Sequence, residues 1–192
     1  MLKEPRPGRV KTRLGRDIGH IPAAWWFRHQ VRGLLRRIRD PRWSVVLAVA
    51  PDHAGLQSRA WPGDLMRLPQ GAGNLGDRMA RMMRSVPPGP VCVIGADVPL
   101  IDQQRIREAF QALGDHDAVF GPAEDGGFWL VGLHNARRVP SGLFDGVRWS
   151  TEHALADSMA TLGRARIAKV GCLRDVDTVA DLPRGRIAAT RA

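Results

Sequence analysis

A chain of 192 residues is most simply one domain, long enough to bury around 70% of its unfolded surface, so it folds without a disulfide scaffold or a structural metal. Its two cysteines agree with this, because Cys92 lies in an apolar run, Cys172 stands alone far downstream, and both read as structural thiols in a reducing cytoplasm. The net charge of +10 and a pI near 11.3 attract polyanions, but the arginines are scattered and no zinc-finger or RNP-type pattern accompanies them, which argues against a dedicated nucleic acid partner.

Chemistry begins at the opening segment, Pro7-Gly8-Arg9-Val10-Lys11-Thr12-Arg13, a glycine turn followed by three cations within five residues. Gly8 lets backbone N–H groups approach a ligand where a Cβ would intrude, and Arg9, Lys11 and Arg13 offer charge-assisted donors to phosphate oxygens. A solvated basic terminus is the plain alternative. Residues 22–39 then read as a helix stopped by Asp40-Pro41, with Trp25, Trp26, Val31, Leu34, Leu35 and Ile38 on its apolar side and Arg28, Arg32, Arg36, Arg37 and Arg39 on its solvated side.

A buried strand is expected over 43–50, a short apolar piece over 64–68, and a glycine-rich loop at Gly71, Gly73 and Gly76 ahead of a helix from about 77 to 85. Strand 90–95, helix 102–113 and strands 118–120 and 127–133 follow. A helix start is read at 149–152, a last strand over 167–173, and a short final helix from Asp177-Thr178 to Pro183. No apolar stretch approaches the roughly 20 residues that span a bilayer, and the first residues are too polar for a signal peptide, so a cytoplasmic protein without a membrane span is expected. Continuous apolar strands alternating with helices place the chain in the α/β class, with a mostly parallel sheet covered on both faces. One domain is expected over 1–184, with a disordered tail over 185–192.

In such sheets ligands sit at the carboxyl ends of the strands. Asp97 falls there, just past strand 90–95, and a single carboxylate at that point suits a hard divalent cation shared with substrate phosphates, although an aspartate capping the next turn is about as good a reading. Asp175 and Asp177, two apart in an extended segment, point the same way; Asp177 serves equally as a helix cap. Asp125-Gly126-Gly127 offers an acid beside a pair of glycines, suited to a hydroxyl-bearing substrate or to a plain hairpin turn. The six histidines lack zinc spacing, and no nucleophile elbow is present. Metal-assisted phosphate chemistry is the reading that remains.

Taken in order, KEPRPGRVKTRLG, QGAGNLGDRM, VIGADVP, GPAEDGGFWLVGL, VRWSTE and LRDVDTVADL resemble a bacterial family of GT-A-like transferases of unknown function, related to phospholactate and molybdenum cofactor guanylyltransferases. The resemblance implies a Rossmann-like three-layer α/β/α sandwich. It matches Gly8, Arg9, Lys11 and Arg13 to a phosphate-binding loop, Asp97 to a metal-binding aspartate, and Asp177 to a second metal contact for Mg²⁺ or Mn²⁺. It brings the loop of Gly71, Gly73 and Asn74 towards a base or ribose.

Three departures from the family pattern stand out: Asn74 where an acid is common, Ala96-Asp97-Val98 for Thr-Asp-Cys, and Phe128-Trp129 for a tyrosine-containing pair. Relatives also carry a full hydrophobic strand before the Lys-x-Pro segment, whereas this chain begins at Met1-Leu2-Lys3, so a start further upstream is expected. The implied activity is metal-dependent transfer from a nucleotide or nucleotide-sugar substrate, most simply glycosyl transfer. Nucleotidyl transfer with pyrophosphate release is the alternative, and a non-catalytic nucleotide-binding module the third. In either transfer Lys11 and Arg13 neutralise charge on the leaving group, and Asp125 with Gly126 and Gly127 contacts the acceptor. Acceptor and oligomeric state are not specified by the sequence.

Overall fold

The computed structural model describes residues 1–182, and the tail expected at 185–192 lies outside them. β1 (Leu2–Lys3), β2 (Leu47–Ala50) and β3 (Arg67–Pro69) form a parallel sheet in the order β1-β2-β3. β4 (Val91–Ile94), β5 (Ala118–Pro122), β6 (Phe128–Leu133) and β7 (Ile167–Lys169) form a second sheet in the order β4-β6-β5-β7. A hydrogen bond from the Met1 amine to the Ile94 carbonyl, 2.6 Å long, brings the start of the first sheet against β4 of the second.

Among the described residues six α-helices flank the strands: α1 (Thr12–Ile18), α2 (His20–Arg37), α3 (Asp52–Gln57), α4 (Leu75–Arg84), α5 (Gln103–Asp115) and α6 (Ala154–Ala160). They cover the sheets from both sides. One cluster packs Phe27, Val31 and Leu34 of α2 and Ile106 and Ala109 of α5 against Val49, Val119 and Leu130. The other packs Met79 and Met83 of α4 and Ala154 of α6 against Ala118, Phe120, Val131 and Leu133. Neighbouring residues of β5 therefore serve opposite cores, as the two-residue period of a strand requires.

β6 departs from the parallel expectation, running antiparallel to both β4 and β5. The connection from β5 to β6 is the short turn at 123–127, and so brief a link joins antiparallel neighbours only. An apolar run buried on both faces carries no mark of its direction.

Several element boundaries also move. Thr12–Ile18 is helix where the sequence suggests an open loop, and α3 carries no sequence signal because Asp52-His53-Ala54-Gly55 lacks apolar periodicity. Strand 43–50 shortens to Leu47–Ala50. Within α2, Trp25 is 57% exposed, stacked on His29 at 5.7 Å, while Phe27 is buried in its stead. Phe27, Val31, Leu34 and Ile38 share one stripe, and Trp25, two residues before Phe27, lies about 200° round the helix from it.

Candidate active site

What positions the opening segment is a turn and a left-handed residue. Arg9 N donates to the Arg6 carbonyl at 3.0 Å and Gly8 adopts φ +73°. Lys11, immediately before α1, takes φ 45°, a conformation a lysine adopts only when its surroundings over-determine it. Its ammonium donates to Asp97 Oδ2 at 2.9 Å and to Asp177 Oδ1 at 2.8 Å, and the side chain is only 6% exposed. Burial pulls the Lys11 pKa down, but the charge of Asp97 and the hydrogen bonds to both carboxylates outweigh it and leave the ammonium more firmly protonated than usual.

Asp97 follows β4 and is therefore at the carboxyl end of a strand, as the apolar run before it predicts. Asp175 and Asp177 are delivered by the segment after β7. Leu173 N donates to the Pro122 carbonyl at 3.0 Å and Val176 N to the Asp97 carbonyl at 3.3 Å, which lays this segment along Asp97. Thr178 and Asp181 form the capping box of the last 3₁₀ turn, with Asp181 accepting from the backbone N–H groups of Asp177 and Thr178. Asp177 is thus not the cap that the sequence allowed. Its carboxylate instead meets Lys11 and, at 3.1 Å, Arg13.

Carboxylate oxygens of Asp97, Asp175 and Asp177 lie within 4.8 Å of one another, all three residues half-buried. Half-buried hard oxygen donors converging at this spacing fit a divalent cation of the Mg²⁺ or Mn²⁺ type. Burial, followed by the neighbouring charges of Asp177 and Asp97, pushes the Asp175 carboxyl up to about 6. Like charges gathered this closely are what a cation would relieve. Asp175 was legible as the partner of Asp177 by spacing, though the family match singled out Asp97 and Asp177 alone.

These groups line one cleft of about 560 Å³, shared by Arg9, Lys11, Arg13, Asp97, Asp125, Gly127, Asp175 and Asp177. Gly8, Gly71, Gly73, Asn74 and Gly126 are not on its lining. Gly71 N donates to Asp52 Oδ1 at 3.1 Å, and Asn74 is spent on a capping box, accepting from Asp77 N at 3.0 Å while Asp77 accepts from Asn74 N at 2.8 Å. Gly126 N closes the 123–126 turn on the Ala123 carbonyl at 3.2 Å, and Asp125 Oδ1 accepts from Gly127 N at 2.9 Å. Sequence reasoning missed Gln70, whose buried amide donates to the carbonyls of Leu2 (3.1 Å) and Ala48 (2.8 Å) and so ties the cleft floor to β1 and β2. A second cavity, about 680 Å³, is lined by β2, β4, α2 and α5 and carries no carboxylate.

The bacterial family described as "Uncharacterized protein conserved in bacteria (DUF2064)" matches residues 34–151, more than half of the chain. A crystal structure from Desulfovibrio desulfuricans G20, described as a "putative nucleotide-diphospho-sugar transferase", is similar with a TM-score of 0.85 at 30% identity, covering 94% of this chain and 81% of that one. That of 4-diphosphocytidyl-2C-methyl-D-erythritolsynthase from Anaerococcus prevotii DSM 20548 is similar in fold, with a TM-score of 0.55 at 10% identity over 79% of this chain and 84% of that one. No curated protein matches the chain.

Proposed function

This chain belongs to the DUF2064 family, and we propose that it is a metal-dependent transferase acting on a nucleotide-activated substrate, most simply a nucleoside-diphosphate sugar. One observation carries the reading: three carboxylates and the cations Lys11 and Arg13 converge in a single cleft at the carboxyl end of β4. Carboxylates alone would repel a diphosphate, and cations alone would not hold a metal; together they suit a metal–diphosphate pair. The name of the Desulfovibrio desulfuricans protein, and the fold shared with it, support the same class of substrate.

Asp97, Asp175 and Asp177 would hold Mg²⁺ or Mn²⁺, which supplies charge neutralisation at the phosphates. Lys11 and Arg13 bind the diphosphate and stabilise the charge it gains on leaving, and Arg9 extends that cationic lip. Asp125, exposed at the cleft margin, takes the acceptor side. There the acceptor oxygen bonds to the anomeric carbon, the bond from that carbon to the diphosphate oxygen breaks, its electron pair leaves with the nucleoside diphosphate, and the acceptor proton passes to Asp125. No covalent nucleophile is required, because positioning and electrostatics lower the barrier.

Incubation with UDP-, GDP- and ADP-sugars and Mn²⁺, followed by product analysis, tests this reading. Release of a nucleoside diphosphate is expected. Pyrophosphate release from a nucleoside triphosphate would assign nucleotidyl transfer instead, and tight binding without turnover would assign a nucleotide-binding module.

A further inference from the structure

The cleft has a second wall that the phosphate chemistry does not use. Leu75, the first residue of α4, is 47% exposed although it is a large apolar side chain, and it lines the cleft together with Met79, one turn further on. Phe128, which opens β6, and Trp149 continue the wall. Their rings lie 6.3 Å apart at 61°, and Phe144 backs both, 6.4 Å from Phe128 and 5.8 Å from Trp149.

Close approaches hold this wall in place. A Cβ on Gly76 would stand 2.5 Å from Phe144 Cβ and 2.9 Å from Trp149 Cζ2, so α4 meets the aromatic cluster with no side chain between. A Cβ on Gly126 would collide with the Glu152 carbonyl oxygen, which docks the turn carrying Asp125 against the segment after Trp149. Phe144 and Ser150 adopt φ 73° and 60°, left-handed conformations that non-glycine residues keep only where their surroundings impose them and that gather at ligand-binding sites.

Charge divides the cleft in the same way. Its lining cations, Lys3, Arg9, Lys11 and Arg13, all come from the first thirteen residues, and none comes from the segments that build the apolar wall. The arginines nearest that wall in sequence are turned to other partners: Arg148 to Asp157 at 2.8 Å, and Arg78 to the Gly73 carbonyl at 3.0 Å. The turn that carries Asp125 belongs to this side, because its Gly126 packs against the Glu152 backbone and Asp125 lines the cleft. An anionic acceptor would meet a carboxylate and no counter-charge here. A neutral molecule with an apolar face would stack on Phe128 and Trp149 while presenting a hydroxyl to Asp125.

We propose that Leu75, Met79, Phe128 and Trp149 form the acceptor subsite, and that it takes an uncharged, hydroxyl-bearing acceptor with an apolar or aryl face and rejects phosphorylated acceptors. The word acceptor rests on the transferase reading above; the binding chemistry is separable from it. The test is saturation-transfer NMR and titration of the full chain, with diamagnetic Mg²⁺ and a mixture of UDP and GDP present, against a neutral nitrophenyl glucoside and against glucose phosphate. The glucoside is expected to bind and to lose roughly tenfold in affinity in W149A and in L75D, while glucose phosphate binds only in L75K.

Leu75 is exposed, so its variants keep the fold even where W149A disturbs packing. Glucose phosphate binding the unaltered chain as well as the glucoside does, or glucoside affinity unchanged in L75D, overturns the proposal. Glucoside binding without any nucleotide signal would overturn the transferase reading and leave this subsite standing.

Discussion

At the scale of single residues, Lys11 decides how the carboxylates behave. Its ammonium already stands between Asp97 and Asp177, at 2.9 and 2.8 Å, so a cation entering the cluster has to displace it. Lys11→Met removes that competitor and is expected to tighten Mn²⁺ binding roughly tenfold, about 1.4 kcal/mol, in calorimetry without nucleotide, while weakening nucleotide binding. Weaker Mn²⁺ binding in the variant would mean that the lysine organises the carboxylates for the ion instead. Asp175 makes a second case. Its carboxyl is raised to about 6 from an unfolded value of 3.8, so the folded state holds that proton more tightly and the ionised group costs stability at neutral pH. Asp175→Asn is therefore expected to raise the melting temperature of the metal-free protein above pH 6, with the gain shrinking as pH falls from 6 to 3.8 and both chains become neutral there. A gain independent of pH would contradict the electrostatic origin. Stability and metal binding oppose each other at this position, as they do wherever like charges are held for a ligand.

At the scale of elements, the turn before β6 and the thiol in β4 are both open to test. Gly126 has φ +85° and no room for a Cβ against the Glu152 backbone, so Gly126→Ala is expected to lower stability by about 2 kcal/mol or more and to loosen the segment carrying Trp149. Unchanged denaturant stability would show that this contact yields. Burial pushes the Cys92 thiol up to about 12, whereas Cys172 is exposed, so iodoacetamide at pH 8 should label Cys172 alone in the native protein and both after unfolding. Native labelling of Cys92 would contradict the packing of β4. The strands and long helices were legible in the sequence because apolar runs and helical periods report burial directly. Strand direction was not, since β6 is buried on both faces, and neither was α1, whose seven residues carry two apolar side chains, Leu14 and Ile18, too few to show a helical period. Asp97 was legible at a strand end from the apolar run before it and Asp177 through the family resemblance, whereas the ion pairs that join both to Lys11 link segments too far apart in sequence to be read from it. The involvement of Thr178 and Asp181 as caps was hidden because several acids in that segment fit the same cap equally well.

At the scale of the whole molecule, the +10 charge and the acidic cluster do different work. A diffuse arginine surface attracts any polyanion, and the attraction fades with salt. DNA binding is therefore expected to be indifferent to sequence and to fall steeply between 50 and 200 mM salt on the order expected for phosphate contacts, while metal-dependent nucleotide binding changes little. A salt-resistant, sequence-selective complex with nucleic acid would contradict that division. Residues 3–13, 97, 125 and 175–177 come from distant parts of the sequence and meet in one cleft at strand ends. Their convergence is the central claim, and calorimetric titration with UDP-, GDP- and ADP-sugars, with Mn²⁺ and with EDTA, tests it most directly. Binding of one nucleotide sugar that requires Mn²⁺ and disappears in Asp97→Ala is the predicted result; binding of equal strength in EDTA and in Asp97→Ala would contradict it.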